Sequence, residues 1–145
     1  MRNAVLFSML ILLLAGCNKD KFNTRPSLKY ESVNRTIIGR NEGNIIFNLS
    51  FTDAEGDLTD TLTVIKSTRP CPSDPTGGFV APYPLPSFPT GKNQSGDIIV
   101  TFGYNDISPK CFPKNDTAVF KFVLKDKAQN ISDTAVSDPI VIINN

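Results

Sequence analysis

The chain contains no histidine and no tryptophan, and only three cysteines. Lacking His, it has no access to the commonest general base or the commonest metal-binding nitrogen. A zinc centre would need more nitrogen or sulfur ligands than remain. A dominant charge is missing too. The 15 Lys and Arg are met by 14 Asp and Glu, and Lys and Asp alternate instead of forming blocks. A nucleic-acid binder shows a basic patch, and none is visible. No catalytic signature stands out. These absences set two expectations: the protein is not an enzyme, and nucleic acid is not a partner.

Long hydrophobic runs are also scarce, and the one present lies at the start. Ala4 to Leu14 is apolar except for Ser8, and Arg2 precedes it. This stretch falls short of the roughly 20 residues that span a bilayer and reads as a signal-peptide core. It ends Leu14-Ala15-Gly16-Cys17, which resembles the lipobox of bacterial lipoproteins. The resemblance implies cleavage after Gly16 and lipid on the Cys17 thiol. Each buried methylene of an attached chain adds about 0.8 kcal/mol, and two or three chains anchor durably. Membrane, through Cys17, is therefore the first partner expected. Loss of Met1–Gly16 removes Arg2 and leaves the 14 acidic side chains balanced by as many basic ones. With Cys17 lipidated, Cys71 and Cys111 form an even pair in an oxidising compartment, for which a disulfide is the default.

Residues 1–16 thus read as signal peptide, 17–27 as lipidated Cys and polar tether, and 28–145 as one domain. Strand patterning dominates that domain. In Asn44–Thr52, Ile45, Phe47, Leu49 and Phe51 alternate with more polar residues, as on a half-buried antiparallel sheet. In Thr117–Lys125, Ala118, Phe120, Phe122 and Leu124 share one face. Leu28–Val33, Thr61–Lys66, Ile98–Tyr104 and Ile140–Ile143 are shorter candidates. No segment has helical periodicity of useful length. Seven of the eleven prolines fall in Arg69–Asn93, so Phe79–Pro86 is excluded as a central strand and supplies at most an edge strand. The pattern predicts an all-β, antiparallel sandwich of about seven strands.

Three segments, in this order, add a resemblance: Phe51-Thr52-Asp53-Ala54-Glu55-Gly56-Asp57, then Tyr83-Pro84-Leu85-Pro86, then Phe120 to Ser132, which includes Lys125-Asp126-Lys127-Ala128-Gln129-Asn130. Together, over about Asn44 to Ile143, they resemble a group of Bacteroidetes-type lipoproteins with one immunoglobulin-like or cadherin-like domain. Such relatives often carry Gly and Asp at the positions of Ala54 and Glu55. The resemblance implies an immunoglobulin-like sandwich on the outer membrane of a Gram-negative cell, facing the periplasm or the exterior. It implies no activity.

With strands at 28–33, 44–52, 60–66, within 79–88, 97–104, 117–125 and 139–143, successive antiparallel neighbours reverse direction. That order brings Asp53, Glu55 and Asp57 to the same end as Asp126, Asn130 and Asp133, and Cys71 to the opposite end with Cys111. An Asp-x-Glu-x-Asp run supplies the hard oxygen ligands that Ca²⁺ prefers, and Gly56 permits a sharp turn. The competing reading is a polar turn in which Asp and Gly serve geometry alone; it carries more weight, so no cofactor is expected, with calcium on Asp53, Glu55, Asp57, Asp126 and Asn130 as the alternative. Two of the same carboxylates could serve a hydrolase, but only across a cleft. Phe79, Tyr83, Phe88 and Phe112 either cap the open edge of the core or form a stacking surface for a glycan or peptide; the cap is favoured. Thr61, Thr117 and Thr134, each after an Asp and before an apolar residue, resemble bacterial O-glycosylation sites. The overall expectation is a lipid-anchored, non-enzymatic binding or structural module of the cell envelope. The alternative is an accessory surface binder of polysaccharide or peptide.

Overall fold

The computed structural model describes residues 24–89 and 91–144. The expected signal peptide, residues 1–16, and Cys17 lie outside them. Among the described residues, nine strands and one short helix run in the order β1 (Ser27–Val33), β2 (Ile37–Ile38), β3 (Asn44–Asp53), β4 (Leu58–Ser67), β5 (Gly78–Pro84), β6 (Gln94–Gly103), α1 (Tyr104–Ile107), β7 (Asp116–Asp126), β8 (Ala135–Val136) and β9 (Ile140–Ile142). They form two sheets. One has the order β1-β3-β6; the other has the order β2-β9-β7-β4-β5, with β8 paired to β7.

Alternation builds both layers. Side chains on a strand point to opposite faces in turn, so β3 buries Ile45, Phe47, Leu49 and Phe51, and β7 buries Ala118, Phe120, Phe122 and Leu124. These two faces meet: the Phe47 ring centroid lies 4.9 Å from that of Phe120 and 5.2 Å from that of Phe122. Leu62 and Val64 of β4 and Ile98 and Val100 of β6 complete the same core.

Two features differ from the sequence reading. The strands are not all antiparallel: β2 lies parallel to β9, with Ile37 opposite Val141 and Ile38 opposite Ile142. The chain leaves the first sheet after β1 and joins the second three residues later. Asn34 holds that crossing, accepting the Ile46 amide on Oδ1 at 2.8 Å and donating Nδ2 to the Asn44 carbonyl at 3.1 Å. Strands of two residues, such as β2 and β8, are too short to leave a period in the sequence. α1 is equally short and carries the chain from β6 of one sheet toward β7 of the other.

The proline-rich segment supplies β5 at the sheet edge, paired to β4 alone. Pro82 and Pro84 are tolerated there because an edge strand need not donate on its open side. Tyr83 bridges to the other sheet. Its ring packs edge-on against Phe102 at 5.8 Å, and its hydroxyl oxygen accepts the Thr101 amide at 3.1 Å. Phe88 packs against Phe51 at 5.1 Å, and Phe79 lies against the core. Phe112 stays 81% exposed and does not join them in capping the core.

Candidate functional site

The inner faces of the long strands do not end on apolar residues. One further step of the alternation in β3 puts Asp53 inside, and one further step in β7 puts Asp126 inside. Both are fully buried. The loop between β3 and β4 and the turn after β7 adjoin, since the Lys127 amide donates to the Asp57 carbonyl at 2.9 Å. At this end, Glu55, Asp57 and Asp126 offer carboxylate oxygens that all lie within 4.8 Å of one another. Glu55 is exposed, Asp57 half-buried and Asp126 buried.

Backbone geometry holds the cluster in place. Gly56 has φ +66°, and a Cβ there would fall 1.7 Å from the Gly91 carbonyl oxygen, so only glycine fits this turn. Asp53 Oδ2 accepts the Asp57 amide at 3.0 Å. Asp126 accepts the Asn130 backbone amide on Oδ1 and the Asn130 side-chain amide on Oδ2, each at 2.7 Å. Asn130 therefore orients Asp126 through its donor groups. In β4, the register against β7 slips between Leu58 and Leu62. Such bulges commonly re-aim side chains beside functional sites. Asp133 is held elsewhere, paired with Arg25 at 2.9 Å.

The acceptors at this end outnumber their donors. Asp53 Oδ1, Asp57 Oδ1 and Gln94 Oε1 are buried oxygens with no hydrogen-bond partner among the described residues. Gln94 reaches the site because β6 begins opposite the end of β3, with Gln94 in register with Asp53. Nothing in the local sequence flags it; only strand pairing does.

The opposite end is closed by covalent and ionic links. Cys71 and Cys111 form a disulfide with their Cα atoms 5.9 Å apart. Asp74 beside it is fully used: Oδ1 accepts the Thr76 hydroxyl at 2.8 Å and Oδ2 the Gly78 amide at 3.1 Å. The Thr76 hydrogen bond, followed by the Gly78 amide, the Lys110 charge and the Gly77 amide, lowers the Asp74 pKa below the usual carboxylate value against the opposing effect of desolvation. Two inner-face residues that the sequence reading passed over pair here. Lys66 Nζ lies 3.4 Å from Asp116 Oδ2 and donates to the Ile107 carbonyl at 2.8 Å, with both side chains almost wholly buried. Burial lowers the Lys66 pKa, and the Asp116 charge offsets part of that. Continuing the Leu62-Val64 and Phe120-Ala118 alternations by one step would have revealed both.

Thr61, Thr117 and Thr134 are all exposed on the outer surface.

No family model and no curated protein matches the chain. Among solved structures, the chain is similar to the Pseudomonas fluorescens alkylpurine DNA glycosylase AlkC bound to DNA containing an abasic-site analogue, with 16% identity and a TM-score of 0.47 over 92% of this chain. The chain spans 33% of that protein's length. This match corrects two expectations. The matched protein is an enzyme on DNA, so the exclusions drawn from composition, no enzyme and no nucleic-acid partner, are withdrawn. The order of charges along the sequence does not fix their arrangement on the folded surface, and absent histidines remove only some catalytic chemistries. A likeness of this degree assigns neither an activity nor a ligand to this chain.

Proposed function

We propose that the chain is a lipoprotein of the outer membrane, with lipid on Cys17 and an immunoglobulin-like domain over residues 28–145 that acts as a binding or structural module of the cell envelope. The observation that carries this reading is Leu14-Ala15-Gly16-Cys17 directly after the apolar run from Ala4. Two further features support it. The two packed sheets, one of three strands in the order β1-β3-β6 and one of six built around β9-β7-β4-β5, support a sandwich reading, and the Cys71–Cys111 bond suits an oxidising compartment. Polar residues 18–26 act as the tether between lipid and domain.

The test is metabolic labelling of cells with a tagged fatty acid. Wild type takes up label and fractionates with outer membrane. Cys17→Ala takes up none and accumulates as precursor or in the soluble fraction. Equal label on the variant would contradict the anchor.

A further inference from the structure

We propose that the end of the domain formed by the β3–β4 loop, the β7 terminus and the start of β6 binds one Ca²⁺ ion. The acidic cluster alone would not carry this, because exposed carboxylates often gather without a ligand. The buried acceptors beside it do. Asp53 is fully buried at an inner-face position. Its Oδ2 accepts the Asp57 amide, which turns the carboxylate toward the loop holding Glu55 and Asp57, and its Oδ1 has no partner. Asp57 Oδ1 and Gln94 Oε1 are likewise buried without partners.

An unsatisfied buried polar atom is costly, and an unpaired buried charge more so. Here three carboxylates, those of Glu55, Asp57 and Asp126, converge, and the buried Asp53, whose Oδ2 accepts the Asp57 amide, adds a fourth negative charge beside them. The ion pairs among the described residues, Arg25–Asp133 and Lys66–Asp116, do not include them. A water molecule donates only two hydrogens and would leave the negative charge uncompensated. A cation satisfies the acceptors and the charge together.

The donor set selects among cations. Every ligand atom is oxygen; the chain has no histidine, and Cys71 and Cys111 are joined. This excludes the nitrogen- and sulfur-rich coordination of zinc. Calcium takes six to eight oxygens at about 2.3–2.6 Å, so two ligands of one ion lie no more than about 5 Å apart. The 4.8 Å limit that encloses the Glu55, Asp57 and Asp126 oxygens fits that sphere. Magnesium demands a tighter octahedron and retains several waters, so it would engage fewer of these carboxylates. Asn130 holds Asp126 in position by hydrogen bonds and is not assigned as a ligand.

The experiment uses the full-length protein in detergent, stripped of metal with chelator. Equilibrium dialysis against ⁴⁵Ca²⁺ should give about one ion per chain, with an affinity in the 10⁻⁴–10⁻³ M range of extracellular modules or tighter. Thermal unfolding in 5 mM Ca²⁺ should show a midpoint on the order of 5–10 °C above that in chelator, and the same concentration of Mg²⁺ should give a clearly smaller rise. Asp57→Asn and Asp53→Asn, which keep side-chain shape, should each lose most of the calcium-dependent rise. No bound ⁴⁵Ca²⁺ at 5 mM, or a rise that both variants retain in full, would overturn the proposal. The dialysis on wild type decides it even if neither variant folds.

Discussion

The buried face of β7 begins at Asp116 and ends at Asp126, and the two carboxylates have opposite circumstances. Asp116 meets Lys66, an inner-face cation on the neighbouring strand, and the same ammonium satisfies the Ile107 carbonyl. Asp126 meets other acids, and oxygens nearby lack donors. One end balances its charges within the chain, through an ion pair, a disulfide and a carboxylate whose two oxygens each accept a hydrogen bond; the oxygen left there without a partner, Thr68 Oγ1, is neutral. The other end is complete only with something added. The difference shows how an inner-face Asp becomes either structure or site. What decides is whether the chain supplies the countercharge.

Breaking the self-sufficient end should have the largest effect. Lys66→Ala leaves Asp116 buried and unpaired, and should cost about 3–5 kcal/mol. Replacing both, as Lys66→Met with Asp116→Leu, should recover most of that loss, because apolar residues of similar volume avoid the desolvation cost. Urea unfolding of the single and double variants checks this; a double variant as unstable as the single would show that the two residues do not act as a pair.

Opening the covalent link comes next. Cys71→Ser with Cys111→Ser frees a loop with a sequence separation of 40, and chain entropy puts the loss at about 4 kcal/mol. Denaturant midpoints measured with and without reductant should agree for this variant and differ for wild type.

At the other end, Gly56→Ala should act through geometry. A left-handed φ and a collision with the Gly91 carbonyl should cost more than about 1 kcal/mol, and should weaken calcium binding more than Gln94→Ala, which removes a single neutral oxygen. Calorimetric titration ranks the two.

The smallest effect is on acid stability. The folded pKa of Asp74 is lowered, so its stabilising contribution is complete above the unfolded value and is lost as pH falls through the folded one. The unfolded value is near 3.8. Asp74→Asn should therefore flatten the acid limb of a stability–pH curve below about pH 4 and leave the neutral region as the lower plateau. An unchanged limb would assign acid sensitivity elsewhere.

Much of this architecture was legible in the sequence, and the boundary has physical causes. The long strands showed themselves through alternation: Ile45 to Phe51 and Ala118 to Leu124 lie inside as the period dictates. Proline placed β5 at an edge. Strand reversal brought Cys71 toward Cys111 and the acidic loop toward Asp126. Asp53, Lys66, Asp116 and Asp126 were harder to read because they continue an apolar period with a charge, and a charge looks like the end of a strand. Gln94 was illegible: its place follows from pairing with Asp53 across 41 positions of sequence, and no local signal encodes register. The parallel β2–β9 contact involves two residues on each strand, too few for any period.

The contrast between an end that supplies its own countercharge and an end that awaits a cation is tested most directly by amide hydrogen exchange on the full-length protein in detergent, with calcium and with chelator. The Asp57, Lys127 and Asn130 amides bond within the acidic end, and the Cys71, Asp74 and Gly78 amides within the disulfide end. Calcium should slow exchange of the first group about tenfold or more and leave the second within about twofold, since a bound ligand protects what opens locally at its site. Equal protection of both groups, or none in either, would contradict it.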